Sequence, residues 1–135
     1  MKLSTAARIL AVTLVAYVVC DILLTPPAGL ETRDVAKVTG VGFATLGLLF
    51  VGLALGILAV VLLLRRSRRS PMVAIVAAVL YFPAFIAEQT GLFSGLRPPL
   101  GIARVEVVRA VVAVIAVGIG FWLLRGGIAR TTHSP

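Results

Sequence analysis

A chain of 135 residues that is 60% hydrophobic and only 13% charged, with a mean hydropathy of +1.11, has too little interior to hide its apolar surface from water, so lipid is the solvent these values imply. One cysteine, Cys20, and one histidine, His133, leave no disulfide framework and no multi-ligand zinc or haem site, and no cofactor or metal is implied. The formal charge of +8 flanks apolar runs instead of forming a basic domain, which argues for membrane orientation and against nucleic acid as a partner.

The first run follows a short basic lead and predicts a helix over 6–24, stopped by Thr25-Pro26-Pro27. A cleaved signal peptide shares the basic start and apolar middle. The run is long for that role, however, and Val19 stands where lipoprotein cleavage before Cys20 needs a small residue. An outer loop over 25–37 carries Glu31, Arg33, Asp34 and Lys37. The second run predicts a helix over 38–64, longer than the bilayer is thick and therefore tilted or projecting. Thr45, Gly52, Gly56 and Ala59 share a narrow arc of it, and Gly52 with Gly56 forms a small-xxx-small pair that admits a neighbouring backbone. A helix of the same chain is the nearer candidate for that contact; a homodimer or another membrane subunit is the alternative.

Arg65-Arg66-Ser67-Arg68-Arg69 opens a basic loop over 65–71, where Ser70-Pro71 reads as an N-cap followed by a first-turn proline. A third helix is predicted over 72–87 and bent by Pro83, which removes one intrahelical bond. The loop over 88–103 is rich in glycine and proline yet carries Leu92, Phe93, Leu96 and Leu100, so it should lie along the interface or fold over the helix ends. The fourth helix is predicted over 104–124, ending at Arg125-Gly126-Gly127 with a mobile tail from Ile128.

The expected fold is an all-α integral membrane four-helix bundle, a single up-down-up-down domain. The positive-inside rule places the arginine block and both termini in the cytoplasm. Lys2, Arg8, Arg65, Arg66, Arg68, Arg69, Arg125 and Arg130 then lie inside, and all five acids lie outside with five bases. A bacterial cytoplasmic membrane is the default compartment.

Several outer charges fall within apolar runs, where a charge costs a few kcal/mol near the bilayer centre and less toward its surface. Glu106, Arg109, Ala113, Ala116 and Gly120 share one stripe of the fourth helix; Ala74, Ala77, Tyr81, Ala84 and Glu88 share one of the third. Asp21 lies above Tyr17 on the first. These phases let Asp21, Glu88 and Glu106 converge on Arg109, with Tyr17, Tyr81 and Thr45 as further hydrogen-bonding groups. The cluster reads either as a structural clasp or as a pocket for a hydrophobic ligand.

Three function classes fit. The first is a non-catalytic accessory or assembly subunit, favoured by the shortage of catalytic residue types. The second is an enzyme acting on a lipid or isoprenoid, with Glu88, Asp21 or Glu106 as acid or base and Arg109, Tyr81, Tyr17 and Thr45 as binding groups. The third is a small carrier or proton-coupled transporter working as a dimer.

Overall fold

A computed structural model describes residues 3–24, 37–95, 98 and 100–131, with side chains for 5–19, 37–95, 98, 100–101 and 103–126. The described residues form helices α1 (Leu3–Leu24), α2 (Gly40–Leu64), α3 (Ser70–Val79), α4 (Tyr81–Gln89) and α5 (Leu100–Thr131), with no strand among them. Three stretches, Gly40–Leu64, Ser70–Gln89 and Ala103–Gly126, are long and apolar enough to cross a membrane, and Thr5–Val19 is a shorter apolar helix. The expected loop over 25–36, with Glu31, Arg33 and Asp34, lies outside the described residues, as do Arg97, the side chains of Asp21 and Arg130, and the final residues 132–135.

The ends of α2 follow from local chemistry. Thr39 caps the start, its side chain accepting from the Gly42 N–H at 3.1 Å. At the far end the Arg66 N–H donates to the Leu63 carbonyl (3.0 Å) and the Ser67 N–H to the Leu62 carbonyl (2.9 Å). This pair of bonds is a Schellman closure, and it puts Arg66 in the left-handed region at φ 53°. The next helix starts at Ser70, two residues before the predicted 72. Ser70 is its first residue, not its cap, because its hydroxyl donates backward to the Ser67 carbonyl at 2.8 Å and closes the basic turn.

Pro83 acts as expected, and the break falls at Leu80. Without an N–H, Pro83 gives no bond to the carbonyl of Val79, and its ring crowds that carbonyl. Leu80 keeps near-helical angles (φ −63°, ψ −16°), so α3 and α4 remain one bent span. α5 differs more. It begins at Leu100 and runs to Thr131, extending past both predicted ends and through Gly126-Gly127 into the stretch expected to be mobile. A glycine pair weakens a helix by about 1 kcal/mol per residue relative to alanine, which a 32-residue hydrogen-bonded ladder can absorb.

α2 packs on α1, α3 and α4, while α5 packs on α1, α3 and α4. The core between them holds many small residues, among them Ala6, Ala59, Ala74, Ala78, Ala113 and Ala116, with Leu10, Leu14, Leu123, Tyr17 and Tyr81 as its large members. Large aliphatic and aromatic side chains point outward instead, including Phe43, Phe50, Val51, Ile57 and Leu58 on α2. That inversion suits helices whose backbones approach closely in a solvent as apolar as the side chains themselves.

Gly52 and Gly56 are used inside the chain. A Cβ on Gly52 would stand 3.3 Å from the Ala77 carbonyl oxygen, and one on Gly56 would stand 3.2 Å from Val18 Cγ2. At the start of α2 a second cluster joins Val38, Ala87 and Phe93. The turn after α4 folds over this helix end: the Thr39 N–H donates to the Phe93 carbonyl at 2.9 Å and the Thr39 hydroxyl to the Leu92 carbonyl at 2.6 Å.

Candidate functional site

Helical phase on α5 turns Glu106, Arg109, Ala113, Ala116 and Gly120 toward the neighbouring helices, and all five are buried. Arg109 is the largest fully buried side chain, only 2% exposed. Its guanidinium carbon lies 4.0 Å from the centroid of the Tyr81 ring and 5.0 Å from that of Tyr17. The two rings meet edge to face, 6.3 Å apart at 84°. A flat cation against two aromatic quadrupoles gains an attraction that grows as water is excluded, and arginine's delocalised, weakly hydrated charge suits such a place better than lysine's ammonium.

The hydroxyls complete the arrangement. Arg109 Nη2 donates to the Tyr17 oxygen at 3.4 Å, and that hydroxyl donates to the Ala77 carbonyl at 3.3 Å. Tyr81 donates to the backbone carbonyl of Glu106 at 2.8 Å. These bonds tie α1 to α3 and α5, and α4 to α5, around one cation. The Tyr81 ring is further flanked by Phe82 and Phe85 at 6.0 and 5.8 Å, which keeps water away from it.

The carboxylates divide. Glu106 is buried, and its Oε2 accepts from Gln89 Nε2 at 2.8 Å, a charge-assisted bond between α5 and the end of α4. Glu88 is buried as well, at 8% exposed, on the Ala74, Ala77, Tyr81, Ala84 stripe. Of Asp21 only the backbone, near the end of α1, is described. Thr45 is buried, but its hydroxyl donates to the Gly42 carbonyl of its own helix at 3.0 Å.

The structure thus brings Arg109, Tyr17, Tyr81 and Glu106 together. Gln89 belongs to the group although the sequence does not mark it. Its neighbour Glu88 stands out for its charge, whereas an amide beside a glutamate carries no signal until the facing helix is known. Among the described residues no group of three or more His, Cys, Asp or Glu side chains gathers in a way that could hold a metal ion.

These features define a class: a small chain, all-helical in its described residues and with three helices among them long and apolar enough to cross a membrane, joined through a buried arginine set against two perpendicular tyrosine rings. No family model, curated protein or solved structure matches the chain.

Proposed function

We propose that this protein is a non-catalytic accessory or assembly subunit of a bacterial cytoplasmic membrane, and that its buried polar residues form a clasp fixing the register of its helices. The observation that carries this reading is the seating of Arg109 against the faces of Tyr17 and Tyr81. Binding of an anionic substrate group would need the guanidinium's donors turned to a cavity, and acid-base chemistry a carboxylate within reach of substrate. Here the guanidinium lies against rings, both tyrosine hydroxyls donate to backbone carbonyls, and an oxygen of Glu106 is taken by Gln89. The large apolar side chains on the outer faces supply the docking surface for lipid and for other membrane helices.

The arrangement in the membrane follows from charge and pairing. Gly42 lies against Phe93 and Gly120 against Pro71 and Ile75, contacts that suit an alternating up-down order of α2, the α3–α4 span and α5. With the 65–69 turn in the cytoplasm, both termini lie there and Glu88 and Glu106 sit in the outer half of the bilayer. In a cysteine-free background, Ser67→Cys should be shielded from an impermeant maleimide in intact cells and labelled after lysis; labelling in intact cells would overturn the orientation.

The functional test is purification from native membranes in mild detergent. A stable complex of fixed stoichiometry with another membrane protein is expected, and Glu88→Gln, which removes a buried charge of the clasp, should lower its folded yield without changing its composition. A lone monomer, or a pocket found to retain lipid that Glu88→Gln releases, would replace the subunit reading.

A further inference from the structure

The clasp leaves the opposite end of the molecule unexplained, and that end carries a cluster of arginines. Arg65, Arg66, Arg68 and Arg69 are all exposed around the turn between α2 and α3, and Arg125 on α5 is exposed as well. Gly120 sits against the Pro71 carbonyl, so Arg125, five residues further along α5, lies about 7 Å beyond that contact, level with the turn. Glu106 lies fourteen residues the other way, about 21 Å along the helix, too far to pair with any of them. Its charge does not neutralise the arginines.

The backbone of the turn adds a second observation. At the position after the helix cap, the left-handed conformation costs an ordinary residue about 1 kcal/mol and costs glycine nothing. The chain uses glycine at the equivalent position after α4, where Gly91 has φ 77° and donates to the Glu88 carbonyl at 3.1 Å. After α2 it uses Arg66 at φ 53° and accepts the strain. Packing does not require this side chain, since it is exposed. A third observation fixes the depth. Trp122 and Phe121 are 39% and 53% exposed within about one helical turn of Arg125, where aromatic side chains mark the boundary between hydrocarbon and headgroups.

We propose that the Arg65–Arg69 turn and Arg125 form a binding site for the phosphate headgroup of an anionic phospholipid, with Arg66 retained in a strained position for its contact with phosphate. Guanidinium groups pair with phosphate oxygens through two parallel hydrogen bonds, and the four arginines of this short turn can hold one phosphate from different sides. An open, exposed cluster beside an interfacial tryptophan suits a headgroup delivered by the bilayer better than a free ion, which would need enclosure to bind at comparable strength. The proposal rests on the membrane reading but not on the subunit function.

The test reconstitutes the full chain in nanodiscs of phosphatidylcholine, with and without phosphatidylglycerol. It reads retained lipid by native mass spectrometry and stability by thermal unfolding. The wild type should retain phosphatidylglycerol preferentially and unfold at higher temperature in its presence, and each arginine removed should lower that preference about fivefold at low salt. Arg66→Gly is the decisive variant. It should unfold at a slightly higher temperature than wild type in pure phosphatidylcholine, because glycine accepts the positive φ, and yet show the weaker preference for phosphatidylglycerol. A preference unchanged in Arg66→Gly and in an Arg65→Gln, Arg68→Gln, Arg69→Gln variant would overturn the site. So would equal stabilisation by inorganic phosphate in phosphatidylcholine discs, which would mark a site for a free anion. A chain that stays in the aqueous phase without detergent or lipid would instead overturn the membrane reading itself.

Discussion

Arg109→Lys tests whether the buried cation is held by charge alone or by the shape of its site. The substitution keeps the positive charge at a position only 2% exposed, so the cost of burying a charge remains. It removes the planar face that lies 4.0 Å from the Tyr81 centroid and 5.0 Å from that of Tyr17. Each cation–ring contact contributes up to about 2 kcal/mol when desolvated, and a compact ammonium cannot meet two perpendicular rings at once as the broad guanidinium does. The weak bond from Nη2 to the Tyr17 hydroxyl, 3.4 Å long, adds ~0.5 kcal/mol at most. An ammonium is also more strongly hydrated, so its burial costs more. These terms have the same sign and give a loss of about 2 kcal/mol. Reversible unfolding in mixed detergent micelles, followed by helical circular dichroism and tyrosine fluorescence, would read this loss directly. A lysine variant within ~0.5 kcal/mol of wild type, beside a methionine variant several kcal/mol worse, would show that charge alone holds the helices together and would sink the stacking argument.

Tyr81→Phe keeps the ring under the guanidinium and loses the 2.8 Å bond to the Glu106 carbonyl, so it should cost about 1 kcal/mol; Tyr17→Phe loses two longer bonds, to the Ala77 carbonyl (3.3 Å) and from Arg109 Nη2 (3.4 Å), and should cost at least as much, and the same unfolding assay ranks the two. Gly42→Ala would place a Cβ 2.5 Å from the Phe93 carbonyl oxygen that anchors Thr39, and should destabilise by about 1–3 kcal/mol with faster hydrogen exchange at the Thr39 amide. Gly47→Ala, with nothing within 4 Å of the new methyl, should leave stability unchanged or raise it by up to ~1 kcal/mol. A double-mutant cycle of Glu106→Gln with Gln89→Leu should return a coupling of about 1–2 kcal/mol for the bond between α4 and α5; a coupling indistinguishable from zero would mean that the 2.8 Å contact does not contribute to stability.

Helical periodicity is enough to mark the buried faces. Ala74, Ala77, Tyr81, Ala84 and Glu88 on the α3–α4 span are all buried, as are the five residues of the α5 stripe, because at 100° per residue a stripe of small and polar positions can face only one way. The bend is legible too, since proline lacks a donor wherever it stands in a helix. Helix ends are less so. The start of α3 moves from 72 to Ser70, whose hydroxyl bonds back to the Ser67 carbonyl instead of capping the helix, and α5 runs past Gly126-Gly127 because local propensity is a weak term against an established ladder.

The helical class, the apolar runs long enough to cross a membrane and the sorting of charge along the chain can be read without a structure, because all of them depend on composition and on spacing within one segment. Which atoms face Arg109 depended on the lateral placement of three other segments. A sequence that offered Asp21, Glu88 and Glu106 as partners for that arginine could not show that two perpendicular tyrosine rings would stand beside it, nor that Gln89 would reach Glu106. Nor could it show that the arginine after α2 would occupy a backbone conformation usually left to glycine. Those facts were decided in the tertiary structure, because periodicity sets the direction a side chain points and only packing sets what it meets there.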